Sequence, residues 1–473
     1  MKGETYRLYI DGVWQNGELG FKDVIDPSTE EVAAKVPVAG PGDLDKALAA
    51  AARARDGWAD TDVRERARLL ARTAGILAAK VGHAARRMVR EQGKTLPEAS
   101  GELERARETF SWNAQYAEAL CKPVQIDERR TLLLRPVGVV AAFTPWNYPA
   151  VLTARKLAPA LAAGCPVILK AAEEAPAAPA AVMEALHEAG APPGVIALVF
   201  GDPPTISKRL LGSPQVRMLS FTGSSRVGKQ LAALAAENLQ TCVLELGGHA
   251  PVLVFEDAAI ESAVAAICAY KFEYAGQSCN APSRIFVHRS RYRDALEQLA
   301  KIAAGIRVGP ADRFGVEMGP MIGPRGPERM RRLTDDALAK GARLVWQGQV
   351  PEGKGYFWPP TVLADVPAEA AILSEEPFGP VLAVAPFDTV DEAIALANAT
   401  SYGLASYVFT ASPERQCYVA ARLAFGSVSV NMLKGVAPDV PNPGIGDSGY
   451  GHEGGSEGFR AFQNLKLINR TGS

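Results

Sequence analysis

The chain has 473 residues, 48 % of them hydrophobic, and its 51 Lys and Arg stand against 52 Asp and Glu for a net charge of -1. That length exceeds what one hydrophobic core organises and implies two or three domains. The charge balance leaves no electrostatic footprint for nucleic acid or an anionic membrane, and the longest apolar stretches, such as Val137 to Phe143, are too short to cross a bilayer.

The N-terminus, Met1-Lys2-Gly3-Glu4-Thr5, has no apolar run, so no signal peptide is expected. Cys121, Cys165, Cys242, Cys268, Cys279 and Cys417 are scattered without paired spacing, which fits a reduced, cytoplasmic protein. His83, His187, His288 and His452 stand at no ligand spacing, and no metal site is expected.

Taken in order, Tyr6 to Val36 reads as short strands with turns at Asp11-Gly12 and Asp26-Pro27. Asp43 is expected to cap a helix in which Leu44, Ala47, Leu48 and Ala51 recur at helical spacing. Arg64 to Met88 is a second helical pattern, ended near Gly93, and Pro97 to Ala119 a third. These helices read as scaffold. Thr131 to Pro136 is β-like and follows the charged turn Asp127 to Arg130. Val137 to Phe143 is an apolar run of buried-strand type, and Leu152 to Ala163 is helical again.

Pro166 to Lys170, Val195 to Val199 and Met218 to Phe221 then read as strands, with a helix through Ala177 to Ala189 between the first two. The alternation recurs after Glu245: strand Ala250 to Phe255, helix Glu261 to Tyr270, strand Ile285 to Val287, helix Tyr292 to Ala303, helix Glu328 to Lys340 and strand Arg343 to Trp346. Strands alternating with helices predict parallel sheets with helices on both faces.

Two glycine motifs compete for a nucleotide. Phe221-Thr222-Gly223-Ser224-Ser225-Arg226-Val227-Gly228-Lys229 follows a strand and opens a helix, where backbone N–H groups and the helix dipole attract phosphate. It nearly spells a P-loop, but Gln230 stands where a magnesium-binding hydroxyl is needed, so a nucleotide hydrolase is disfavoured. The literal G-x-G-x-x-G at Gly444 to Gly449 neither follows a clear strand nor opens a helix, and reads as a loop.

A cysteine stands after a glycine turn in Lys271-Phe272-Glu273-Tyr274-Ala275-Gly276-Gln277-Ser278-Cys279. Upstream lie Leu244-Glu245-Leu246-Gly247-Gly248 and Pro145-Trp146-Asn147-Tyr148-Pro149. A thiol, a candidate base and an amide donor in this order resemble the NAD(P)-dependent aldehyde dehydrogenase superfamily nearly end to end. The resemblance implies an α/β fold with two Rossmann-like units and a small β arm for oligomerisation. The corresponding boundaries are 1–122 and 141–245 for NAD binding, 123–140 and 452–473 for the arm, and 246–451 for the thiol domain.

By the same resemblance Cys279 is the nucleophile, Asn147 and the Cys279 backbone N–H hold the oxyanion, and Glu245 activates water. Lys156 is a lysine near the cofactor, and Thr144 and Trp146 line the same cleft. Lys170 and Glu173 match the adenosine-ribose site. Glu173 would repel a 2′-phosphate, which favours NAD over NADP. Gly223 and Ser224 lie at the pyrophosphate and Val227 at the adenine, while Glu376 matches the nicotinamide-ribose residue and Phe378 the aromatic beside the ring.

Glu245 also points to hydrolysis rather than transfer to coenzyme A. Arg155 matches the carboxylate-binding arginine of succinate-semialdehyde dehydrogenases. Their second arginine, six residues before the thiol, is here Glu273, which either points away or pairs with Arg155; otherwise the aldehyde is aromatic, aliphatic or amino. His249 departs from the family pattern and reads as a surface or core histidine. A homodimer or homotetramer is implied, and loss of catalysis on the same fold is the competing reading.

Overall fold

The computed structural model describes residues 4–433 and 435–471. Two sheets organise it. The first has eight strands in the order Gly449–Tyr450, Thr241–Glu245, Val216–Thr222, Val139–Phe143, Val167–Lys170, Ile196–Val199, Leu8–Ile10 and Val13–Gln15. Its inner strands run parallel and its edges antiparallel. A parallel sheet is covered by helices on both faces, so its strands are apolar throughout rather than alternating. Val139 to Phe143 is accordingly buried at every position.

The second sheet has seven strands: Arg343–Gln347, Thr361–Ala364, Val381–Phe387, Arg284–His288, Pro251–Val254, Ala405–Phe409 and Ser427–Val430. All neighbours pair in parallel except the first two. A third sheet joins Val124–Gln125, Arg130–Pro136 and Gln463–Asn469, so the two segments assigned to the arm meet. Separate apolar cores fill the first and second sheets. The expected α/β class, with parallel sheets flanked by helices, is the observed one.

Asp43 is a correction. The helix is Pro41–Asp60, its N-cap is Gly40, and Asp43 is its third residue. Proline fits the first helical position because its missing N–H has no partner there anyway. The Asp43 carboxylate instead reaches back to the Gly40 N–H at 3.1 Å and out to the Glu18 N–H at 2.8 Å.

The glycine-rich segment near 444–449 opens no helix. Gly449–Tyr450 lies antiparallel along Thr241–Glu245, and the Leu246 N–H donates to the Ser448 carbonyl at 3.0 Å. Gly449 has φ +109°, and a Cβ there would stand 1.9 Å from the Leu244 carbonyl oxygen. Glycine is required at that approach.

Candidate active site

One cleft of about 1110 Å³ collects Asn147, Arg155, Glu245, Cys279 and Glu376, of which Glu245 ends a strand of the first sheet, Arg155 lies on the helix Pro149–Ala163 and the others lie in loops. Cys279 follows the helix Ile260–Lys271 across a tight turn. Tyr274, Ala275 and Gly276 have φ of 48°, 50° and 70°, three left-handed residues in succession. Each non-glycine there costs about 1–3 kcal/mol, so the surroundings must hold it. Glu98 accepts the Tyr274 N–H at 2.7 Å, and the Gln277 amide binds the Tyr274 carbonyl at 3.2 Å and the Ile322 N–H at 2.9 Å. A Cβ on Gly276 would lie 2.5 Å from the Gly379 carbonyl oxygen, which closes off every larger residue.

Burial pushes the Cys279 thiol up to about 12, with repulsion from Glu376 and Glu245 adding to it and Arg155 opposing it. The resting group is therefore the thiol, and a base is needed to make the nucleophilic thiolate.

Asn147 sits between the strand Val139–Phe143 and the helix Pro149–Ala163. Its side-chain N–H donates to the Gln277 carbonyl at 3.2 Å, which ties this turn to the thiol turn. An amide carries two N–H bonds, so a second remains for a ligand. Below the turn lies a buried ion pair of Lys94 and Glu102, neither exposed at all. Glu102 accepts the N–H groups of Ala150 at 2.6 Å and Val151 at 3.4 Å, capping the helix from outside. Lys94 donates to the Asn147 carbonyl at 2.7 Å and stands 4.2 Å and 4.4 Å from the ring centres of Tyr148 and Tyr274. An ammonium over aromatic faces is attracted to their negative centres.

Glu245 ends the strand Thr241–Glu245 and is buried. Burial and then Glu453 raise its carboxyl well above the ordinary range; Arg155, Lys156 and a hydrogen bond from Asn442 oppose them. The Asn442 amide lies 3.0 Å from Oε2, and Oε1 has no hydrogen-bond partner among the described residues. Lys156 pairs with Glu453 at 2.5 Å and donates to Ser220 at 3.1 Å. Arg155, 8 % exposed, keeps a buried Nε without a partner among the described residues.

On the other side, Lys170 pairs with Glu173 at 2.7 Å, and Glu173 accepts the Gly201 N–H at 2.9 Å. The Thr144 N–H donates to the Lys170 carbonyl at 3.1 Å, while the buried hydroxyls of Thr144 and Thr222 find no partner among the described residues. The Gly223 N–H donates to the Glu245 carbonyl at 3.0 Å. Ser224 is exposed and caps the helix Ser225–Ala236 by accepting the Val227 N–H at 3.4 Å, with Val227 half-buried. Lys229 is held by Asp447 at 2.6 Å, away from a P-loop role.

Glu376 accepts the Gly248 N–H at 3.0 Å, and burial lifts its carboxyl to about 7. Phe378, at φ 49°, meets Trp146 edge to face at 5.6 Å. A capped helix N-terminus, orphaned hydroxyls and carboxylates at strand ends suit the phosphates and ribose hydroxyls of a dinucleotide.

Glu273 is half-buried and lines the same cleft, beside Tyr148 and Tyr270. His249 is a core residue, fully buried, with its carbonyl held by Arg284 at 2.9 Å. Lys94, Glu98, Glu102, Asn442 and Glu453 complete the site without having been singled out from the sequence. Glu98 left one signal there: Thr95-Leu96-Pro97-Glu98 is a capping box, and the Thr95 N–H does bond Glu98 at 2.7 Å. Among the described residues no cluster of His, Cys, Asp and Glu could hold a metal, and no helix is long and apolar enough to cross a membrane.

Comparison with known proteins gives the site its context. The aldehyde dehydrogenase family model matches residues 14–468. The chain is 42 % identical to 4-(hydroxymethyl)benzenesulfonate dehydrogenase of Comamonas testosteroni, over 98 % of this chain and 97 % of that one. It is 38 % identical to 3-sulfolactaldehyde dehydrogenase of Pseudomonas putida, over 98 % and 96 %. The crystal structure of succinate-semialdehyde dehydrogenase from Burkholderia pseudomallei superposes with a TM-score of 0.95 at 36 % identity, covering 98 % of this chain and 97 % of that one. With the family pattern running almost the full length and the fold matching throughout, the chain belongs to the aldehyde dehydrogenase family and is an oxidoreductase that oxidises aldehydes with NAD or NADP.

Proposed function

We propose that Cys279 attacks the aldehyde carbon and that Glu245 later activates the water that hydrolyses the thioester, releasing a free acid. The observation that carries this reading is that Cys279, Glu245 and Asn147 open on one cleft together with Glu376. A base first takes the thiol proton, and the sulfur adds to the carbonyl to give a thiohemiacetal. The second Asn147 N–H and the Cys279 backbone N–H stabilise its oxyanion; one such donor is worth on the order of 100- to 1,000-fold in rate. A dinucleotide held in the cleft would supply the acceptor for the hydride that leaves this carbon. Water then loses a proton to Glu245 as it adds to the thioester, and the C–S bond breaks. General-base help of this kind contributes roughly 100- to 10,000-fold.

Lys170 and Glu173 would hold the adenosine ribose, Thr144, Gly223 and Ser224 the phosphates, Val227 the adenine, Glu376 the nicotinamide ribose, and Phe378 with Trp146 the ring. Glu173, already engaged with Lys170, supports NAD over NADP because a 2′-phosphate would meet its negative charge. Lys156 keeps Glu453 paired beside the base. The first sheet would form the dinucleotide unit, the second the thiol unit, and the three-stranded sheet an arm between copies in a homodimer or homotetramer.

The substrate is an aldehyde carrying an acid group. Arg155, whose buried Nε has no partner among the described residues, and Arg105 both line the cleft. The relatives named above act on a benzenesulfonate, a sulfolactaldehyde and a semialdehyde of succinate, each of which carries a sulfonate or carboxylate. Glu273, which lines the same cleft, disfavours a second anionic group near it. The test is NAD and NADP reduction over a panel of aldehydes with native enzyme and Arg155→Ala. KM for acid-bearing aldehydes is expected to rise far more than KM for benzaldehyde; equal effects would remove the clamp.

A further inference from the structure

We propose that Asn442 is a positioning residue for thioester hydrolysis, its side-chain amide holding the Glu245 carboxylate in place and in the ionised form. The inference rests on the reading of Glu245 as the general base.

Asn442 is 7 % exposed, and its Nδ2 lies 3.0 Å from Glu245 Oε2. The backbone fixes it there: Asn442–Pro443 pairs antiparallel with His452–Glu453, and Asn442 stands directly opposite Glu453. An amide and a carboxylate thus approach Glu245 from neighbouring strands. The other charged or titratable groups facing Glu245 are Arg155 and Lys156 of the helix Pro149–Ala163 and the Cys279 thiol. Lys156 is taken by Glu453 and Ser220. Among the described residues, Asn442 is the side chain that donates a hydrogen bond to the Glu245 carboxylate.

The choice of a neutral donor has chemical consequences. A buried carboxylate beside a second carboxylate drifts toward its protonated form, in which it cannot take a proton from water. A cation in hydrogen-bond contact would keep it ionised but bind it tightly and weaken its basicity. An amide stabilises the charge by one charge-assisted hydrogen bond and adds no charge of its own. It also occupies Oε2 alone. Oε1, which has no partner among the described residues, is left to take the proton as the water oxygen adds to the thioester and the thiolate departs.

The test uses the full-length enzyme with NAD and a saturating aldehyde, in Asn442→Leu, Asn442→Asp and Glu245→Gln. Stopped-flow NADH absorbance separates hydride transfer from the steady phase, and kcat is followed against pH. Asn442→Leu removes the donor at similar size; its steady phase is expected to slow on the order of tenfold while the first NADH turnover keeps its rate. Without the donor, protonated Glu245 is favoured, so the acidic limb of the kcat profile moves to higher pH. Asn442→Asp adds a negative charge and moves it further the same way.

A merely structural role would not move that limb. Should Asn442→Leu fail to fold, Asn442→Asp alone decides. If Glu245→Gln stops after one NADH per thiol while both Asn442 variants keep the native profile, the inference fails and the base reading stands. If Glu245→Gln turns over like the native enzyme, the base reading itself fails and takes the inference with it.

Discussion

The turn that carries Gly223 and the turn that carries Cys279 lie on the same cleft, one after a strand and one after a helix. The first is relaxed. Its helix begins with a serine cap, and the backbone between strand and helix needs no left-handed residue. The second runs through three left-handed residues, and the separate segment at Phe378, facing Trp146, is left-handed too. The thiol turn is held by the Glu98 carboxylate of the helix Leu96–Cys121, by the Asn147 amide, and by its own Gln277 amide reaching Ile322. A dinucleotide can be met with generic devices, because many backbone donors suffice for phosphate. A nucleophile has to be aimed, and the aim is maintained by contacts that oppose local preference.

The contrast breaks most sharply at the sulfur. Cys279→Ala is expected to lower kcat by about 10,000-fold or more while the Kd for NAD, read from quenching of intrinsic fluorescence, stays within about twofold. Joint loss would mean that the two turns are not independent. The next effect is on titration. With the thiol pushed up to about 12, the thiolate fraction grows roughly tenfold per pH unit below that value, so alkylation of Cys279 by iodoacetamide should climb from pH 7 to pH 10 without a plateau. A plateau below pH 8 would mean a preformed thiolate.

The smallest effect on turnover should come from beneath Asn147. Glu102→Ala leaves Lys94 buried without its partner and should cost about 3–5 kcal/mol in urea unfolding. In the enzyme that remains folded, misplacement of the turn should lower kcat by at most about 100-fold. Unchanged kcat would show that the pair supports the fold and not the aim.

Much of this was legible in the chain, unevenly. The alternation of strand and helix from Pro166 to Trp346 announced the parallel sheets, because buried parallel strands are continuous apolar runs. The four strands of the second sheet beyond Trp346 and the helices Pro203–Leu211, Val390–Asn398 and Pro413–Ala420 were not read, since short apolar segments such as Val381–Phe387 have no period of their own. Cys279, Glu245 and Asn147 stood out because each sits in a distinctive motif. Lys94, Glu102 and Asn442 did not. Lys94 lies 53 residues from Asn147, and Asn442 lies 197 from Glu245, so only the folded chain reveals what they touch. Asp43 misled because an acid near a helix start can cap from the third position as well as from the first.

Glu98 spends its two oxygens on two different tasks. One starts its own helix at Thr95, and the other anchors Tyr274, 176 residues further along. Closing so long a loop is an entropic cost that only the finished molecule recovers. A C-terminal fragment comprising the seven-stranded sheet would therefore carry the sulfur on a backbone free to relax, and mixing it with the missing N-terminal half would be the way to give it back its direction.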